Sequence, residues 1–460
     1  MDSKRKVGGI MENKYFILLK ALIIIISLAI LIGNAINAKT TLGRDLIIES
    51  NPTLQVSPSK HHERPLGRRP QKSSILSIEE ANAIETQRNG NRSTTSLMGN
   101  YPIVDTGLVT SYSNHESISL PHAGEQFYGQ DSNYITHDFS YTDNGDGTVT
   151  DHVTGLMWQQ DPGAKMTWRE AVAYVDTCQL AGYTDWRLPT IKELYSLMDF
   201  SGETKHKPYI NSDYFVFSYG DVTGERAIDS QYATSTIYES GTMGGNTTVF
   251  GVNFADGRIK GYPVDKDFYV MLVRGNTSYG LNHLVDNGDG TITDLSTGLM
   301  WLMYDSGHFL EDGAMDWDDA LYWAEYLDYA GYTDWKLPDA KELQSIVDYT
   351  RSPDTTQSAA IDPMFHVTAI EALDGSLDYP YYWSSTTHKD GRKYGEYAVY
   401  IAFGEALGEM QGRVMDVHGA GAQRSDLKTG DPSHYPVAGH GPQGDVLSVF
   451  NYVRAVRVVN

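Results

Sequence analysis

The chain is poor in cysteine, in basic residues and, beyond its N-terminal stretch, in long apolar runs. Each shortage removes a class of protein. Cys178 is the single cysteine, so no intrachain disulfide forms and the fold must rest on packed cores. A chain of 460 residues is long enough to build them in two or three domains. Lys and Arg number 36 against 59 Asp and Glu, a formal charge of -23, which argues against a nucleic-acid partner because phosphate binding needs a basic face. No apolar stretch after Ile32 is long enough to span a bilayer. Catalytic signatures are missing too: there is no Gly-x-Ser-x-Gly string and no His-Glu-x-x-His helix. No residue is assigned a catalytic or metal-ligating role. What the chain does have is aromatic surface, 31 Tyr and 8 Trp, which suits β-rich domains.

The N-terminus carries Lys4, Arg5, Lys6, Lys14 and Lys20, then an apolar run from Ala21 to Ile32, then small Ala38. That order predicts an export signal over residues 1–38 and a secreted or cell-envelope location, with the membrane involved only through that signal. The alternative is an uncleaved anchor. Residues 39–100 read as a disordered linker, because Lys60, His61, His62, Arg64, Arg68, Arg69 and Lys72 crowd a stretch of low hydrophobicity.

The remainder is duplicated. Asn144-Gly145-Asp146-Gly147-Thr148, Thr154-Gly155-Leu156-Met157-Trp158 and Asp185-Trp186-Arg187-Leu188-Pro189 return as Asn287-Gly288-Asp289-Gly290-Thr291, Thr297-Gly298-Leu299-Met300-Trp301 and Asp334-Trp335-Lys336-Leu337-Pro338. The tight Asn-Gly and Asp-Gly pairs predict a hairpin. They also resemble a calcium loop, but alternate positions from Asp143 supply Asp, Gly, Gly, so calcium is unsupported and no cofactor is expected. Trp168, Ala171, Val172, Val175 and Cys178 share a helical face, predicting a helix over 167–181 that stops at Gly182. Its partner uses Trp317, Ala320, Leu321, Ala324 and Leu327 behind an Asp316 cap. Thr167 with Glu170, and Thr190 with Glu193, form capping boxes. Cys178 is expected to be buried and structural, since its counterpart is Leu327. Trp186 and Trp335 are expected as core anchors. Arg187 becomes Lys336 in the second copy, which argues against a bidentate catalytic site. A run of strands closes each copy, giving an α+β fold.

The two copies differ in a six-residue insertion between Trp301 and Trp317 and in an enlarged stretch, 415–446, read as a loop. Specificity is expected where they differ. Candidate ligand-binding residues are the loop groups Asp416, His418, Arg424 and Asp426, together with Tyr379, Tyr381 and Tyr382, whose rings would stack on a sugar.

Jointly, the repeated motifs with Lys192-Glu193-Leu194, Trp383-Ser384-Ser385 and Val453-Arg454-Ala455-Val456-Arg457 resemble the Lcl C-terminal domain family, named after a collagen-like bacterial adhesin. The resemblance implies two tandem C-type-lectin-like domains, 101–278 and 279–460, each with two helices beside a twisted, mainly antiparallel sheet. It implies a non-enzymatic adhesion module recognising a surface glycan or a surface protein. The sulfated glycans associated with the namesake sit poorly with this chain's acidity, unless a basic patch such as Arg454, Arg457 and the linker overrides it. No collagen-like repeat is present, so a trimeric stalk is not implied, and the oligomeric state stays open. A structural envelope role and, more remotely, an enzyme on a sulfatase-modifying-like fold are the other readings.

Overall fold

The computed structural model describes residues 99–373, 375–391, 393–434, 438–440 and 444–459. The expected export signal, 1–38, and all but the last two residues of the expected linker lie outside the described residues. Each copy opens with a three-stranded meander. In the first copy these strands are β1 (Tyr141–Asp143), β2 (Thr148–Asp151) and β3 (Leu156–Gln159). Both expected hairpins form. Gly145 and Gly147 adopt φ of 73° and 86°, and Gly288 and Gly290 repeat this at 77° and 87°, a region open to glycine at no steric cost. The acidic residues serve the turn itself: Asp143 accepts from the Gly145 N–H at 2.8 Å and Asp146 from the Thr148 hydroxyl at 2.6 Å.

Helix α1 (Trp168–Val175) follows, with the Thr167–Glu170 capping box in place. It is shorter than the periodicity predicts. The chain leaves the helix at Asp176, and the turn is completed by two left-handed residues, Ala181 and Gly182. Helix α2 (Ile191–Tyr195) starts from the Thr190–Glu193 box. Three long strands come next, β4 (Gln231–Thr242), β5 (Asn246–Asn253) and β6 (Arg258–Pro263), and β7 (Val273–Gly275) returns to pair with β3.

The second copy repeats this plan with β8 (Leu284–Asp286), β9 (Thr291–Asp294), β10 (Leu299–Leu302), α3 (Trp317–Glu325), α4 (Ala340–Ser345), β11 (Tyr381–His388) and β12 (Tyr397–Ala402). The 415–446 stretch is not loop throughout. It completes a small hairpin, β13 (Leu407–Met410) with β14 (Arg413–Asp416), and then supplies β15 (Gln423–Leu427). Strand β16 (Val456–Val458) closes the chain against β10.

The copies share one six-stranded antiparallel sheet, ordered β11-β12-β15-β6-β5-β4. Its midline is the pairing of Gln423 with Ile259. These two residues occupy corresponding places: Thr234 bonds the Phe250 carbonyl as Ser384 bonds that of Val399, and Phe250 faces Gly261 as Val399 faces Ser425. Each copy therefore meets the same strand of the other, as partners do across a two-fold axis. The helices keep the same symmetry. Lys192 donates to the Ser345 carbonyl at 2.7 Å, and Lys341 donates to the Ser196 carbonyl at 2.9 Å.

Burial follows this plan. Ala171, Cys178, Trp186, Leu188 and Phe268 form a private core in the first copy, and Trp317, Leu321, Trp335, Leu337 and Trp383 form its equivalent in the second. A larger shared core draws Leu194, Val252 and Ile259 from one copy and Leu343, Val399 and Ile401 from the other. The tryptophan anchors repeat to the hydrogen bond: Trp186 donates to the Leu180 carbonyl at 3.1 Å and Trp335 to that of Tyr329 at 3.2 Å. Among the described residues no helix is long and apolar enough to cross a membrane.

Candidate functional site: an aromatic face on the second copy

The sequence-selected residues fall in three separate places. Tyr382 is fully buried, its hydroxyl donating to Asp305 at 2.6 Å. Tyr381 is buried, stacked on Tyr400 at 4.8 Å and bonded to the Glu405 carbonyl at 3.0 Å. Neither ring turns a face to solvent. Tyr379 is only partly buried and donates to the Gln357 carbonyl at 3.0 Å. Arg454 and Arg457 form no surface patch. The first is fully buried against the Leu302, Met303 and His366 carbonyls, and the second is clamped by Asp334.

Asp416, His418, Arg424 and Asp426 are buried as well. Asp416 accepts from Tyr238 at 2.8 Å and from the N–H groups of His418 and Gly419, and burial pushes its carboxyl up to about 7. Asp426 accepts from the Ser448 N–H and the Asn451 side chain, and burial pushes it likewise to about 7. His418 and Arg424 converge on Asp445, with His418 Nε2 at 2.7 Å. Burial lowers His418 to about 4, so it stays neutral at physiological pH. Burial opposes the charge on Asp445, but Arg424 and its other partners hold its carboxyl below the ordinary range.

This pair belongs to a polar seam along the β6–β15 junction. Arg258 bonds Asp390 at 2.5 Å and Ser425 at 3.1 Å, and Lys260 bonds Asp256 at 2.6 Å. Three cations face three carboxylates, so the seam is close to neutral and consumes its own charge. Perturbed acids and bases mark catalytic sites when they line a cleft. Here they are committed to one another across a domain junction.

A cleft of about 230 Å³ opens beside the seam in the first copy, lined by Arg226, Asp229, Lys260, Tyr262 and Lys266 among others. Its charges are largely spent: Asp229 clamps Arg226 and Asp256 holds Lys260.

The surface that differs in kind between the copies lies on α3. Its inner face, Trp317, Ala320, Leu321 and Ala324, is buried. The outer face carries Tyr322 and Tyr326, one turn apart, with ring centroids 4.4 Å apart. Tyr322 is 42% exposed. The chain before the first hairpin reaches across to complete the surface. Phe127, held at φ 65°, stacks on Trp317 at 6.4 Å, and Tyr128 follows it. Gln126 Nε2 and the Phe127 N–H both donate to Asp318, at 2.8 and 3.3 Å. Together Gly124, Glu125, Gln126, Phe127, Tyr128, Asp318, Tyr322 and Tyr326 line a shallow depression of about 30 Å³. Aromatic faces rimmed by carboxylates and an amide are what a hydrated, partly apolar ligand meets.

Sequence reading passed over this face because its residues lie far apart in the chain. One signal was present. On helix numbering, Tyr322, Tyr326 and Asp318 replace Ala173, Thr177 and Arg169 of the first copy, an aromatic pair on a face that periodicity assigns to solvent.

A family model described as the Lcl C-terminal domain matches residues 147–274 and 290–417. No curated protein and no solved structure matches.

Proposed function

The chain belongs to the Lcl C-terminal domain family, and from that premise we propose a non-enzymatic, exported binding protein of the adhesin type that recognises a surface glycan. The observation that carries this reading is the Tyr322–Tyr326 pair, Tyr322 exposed and Tyr326 half-buried, with half-buried Phe127 and Tyr128 beside it, built on the second copy and not on the first. Pyranose rings present apolar C–H faces that stack on such side chains, while Gln126, Asp318 and Glu125 supply hydrogen-bond partners at the rim. Shallow geometry suits binding to the side of a polymer. The internal pairing of the buried acids, bases and cations supports a scaffold rather than a reaction centre.

The test is a glycan array probed with the full chain and with the Tyr322→Ala/Tyr326→Ala variant. Losing two stacking rings should weaken binding roughly tenfold, since aromatic contacts contribute about 0.5–1.5 kcal/mol each and 1.4 kcal/mol is a factor of ten. Binding that survives both substitutions would place the ligand elsewhere. The continuous six-stranded sheet favours a second reading, a structural envelope component, for which the array should stay empty.

A further inference from the structure

We propose that the second copy carries an amide cross-link of its own making, between the Lys336 amine and the Glu342 carboxyl. The ion pair at this place differs between the copies. In the first, Arg187 forks Glu193, with Nη1 on Oε2 at 2.6 Å and Nη2 on Oε1 at 2.5 Å, so both oxygens are held. In the second, Lys336 Nζ and the Asp339 N–H, the latter at 2.9 Å, both donate to Glu342 Oε2. Glu342 Oε1 is buried and has no hydrogen-bond partner among the described residues. A buried polar atom left unpaired is costly. An amine, unlike a guanidinium, can also act as a nucleophile toward a carboxyl carbon.

The surroundings favour a neutral product. Lys336, Glu342 and Asp339 are all buried, and the Tyr134 ring centre lies 5.1 Å from Nζ. In the first copy, by contrast, the Arg187 side chain is 29% exposed. Taking two opposite charges out of water costs free energy that their attraction need not repay, and an amide removes both charges. The two partners are also held in place. Lys336 exchanges backbone hydrogen bonds with Val456 at 2.8 and 3.0 Å, and Glu342 stands in the first turn of α4 with its N–H on Asp339 at 2.8 Å. Fixing amine and carboxyl side by side makes their condensation effectively unimolecular.

The step balances without a co-reactant. Burial works against the Lys336 ammonium, but Glu342 and Asp339 hold it charged, so the resting pair is an ammonium on a carboxylate. Nζ gives up two protons and its lone pair forms the bond to Glu342 Cδ. The Cδ–Oε1 bond breaks, and Oε1 leaves with both protons as water. Oε2 stays as the amide carbonyl, on the Asp339 N–H. Asp339 is the acid assigned to relay a proton: its burial, then the charges of Glu342 and Asp131, keep its carboxyl well above the ordinary range. The link closes only the short stretch from Lys336 to Glu342, so its effect is to remove buried charge more than to restrain the unfolded chain.

The experiment weighs the purified full chain, denatured, by mass spectrometry beside its Lys336→Arg variant, which gives the second copy the pair of the first and cannot form the amide. Measured against its own sequence, the wild type should be lighter than the variant by one water molecule. Asp-Gly pairs such as Asp146-Gly147 can lose water too, but the variant keeps them and so subtracts them. Fragment spectra of the digested wild type should place the link between Lys336 and Glu342. Asp339→Asn keeps a cap for α4 and should form the bond roughly a hundredfold more slowly, read as the fraction of chains lacking the water after equal incubation. A wild type with the same mass offset as Lys336→Arg would overturn the proposal and leave an ordinary buried ion pair. A link mapped to any other pair of residues would overturn it as well. Equal rates in Asp339→Asn would overturn the relay assigned to Asp339. The wild-type mass and fragments alone decide whether the link exists, whatever the folding of the variants.

Discussion

At the scale of single residues, the chain places carboxyl groups where water cannot reach them, and Asp416 is the simplest case. It accepts three hydrogen bonds and faces Tyr238, yet burial still raises its carboxyl to about 7 from an ordinary value of 3.8. The folded state thus prefers the protonated group. The contribution of Asp416 to stability is fully present below pH 3.8 and is lost as pH rises through 7. Asp416→Asn keeps an acceptor oxygen but carries no proton to lose. The variant should melt near the wild type at pH 3 and above it at pH 8, with the gap opening between. A gap that is constant across that range would show that Asp416 is not the group titrating.

At the scale of elements, local rules and long-range ones separate cleanly. The hairpins, the capping boxes and the tryptophan anchors are set by residues a few positions apart, and so they are legible: Thr190 with Glu193, Asn144 with Gly145, Trp186 beside Leu188. Cys178 is buried as expected, although it lies beyond the end of the helix whose register suggested it. The end of α1 is not legible, because apolar spacing continues to Cys178 while the chain has already turned at Asp176. Strand β15 is hidden for a different reason. Its residues, Gln423-Arg424-Ser425-Asp426-Leu427, are too polar for an apolar core strand, and they are stabilised by pairing with β12 on one side and the other copy's β6 on the other. The aromatic face is hidden likewise, since Phe127 must cross to Trp317, a separation that no local pattern encodes.

That crossing makes the chain before the first hairpin an element of the second copy. Asp131 bonds Thr386 at 2.5 Å and Thr106 at 2.9 Å, and Ser113 offers its carbonyl to Lys428 at 3.0 Å. Removing residues 1–137 would uncover Trp317 and leave the Lys428 amine short of an acceptor, at a cost of about 1–3 kcal/mol for the unsatisfied polar group alone. The truncated protein is expected to be cut by protease near α3 under conditions where the full chain is not. Cleavage confined to the first copy would contradict this role.

At the scale of the whole molecule, the duplication has produced two copies that fold as partners. The shared core, the β6–β15 pairing and the reciprocal lysines all cross the midline. Lys341 shows what this implies. It is buried, its pKa is lowered to about 8 by that burial, and its amine bonds the Ser196 and Asp105 carbonyls, neither of which belongs to the helix that carries it. Replacing it by alanine leaves those two carbonyls without their donor, which should cost about 2–4 kcal/mol. In a pair of independent domains, such a change would lower one of two melting transitions and leave the other in place. Here the lost bonds belong to both copies at once. Calorimetry of the wild type should therefore give one transition, and Lys341→Ala should lower that transition as a whole, with Lys192→Ala acting alike from the opposite side. Two wild-type transitions, only one of which responds to Lys341→Ala, would mean that the midline contacts do not couple the copies.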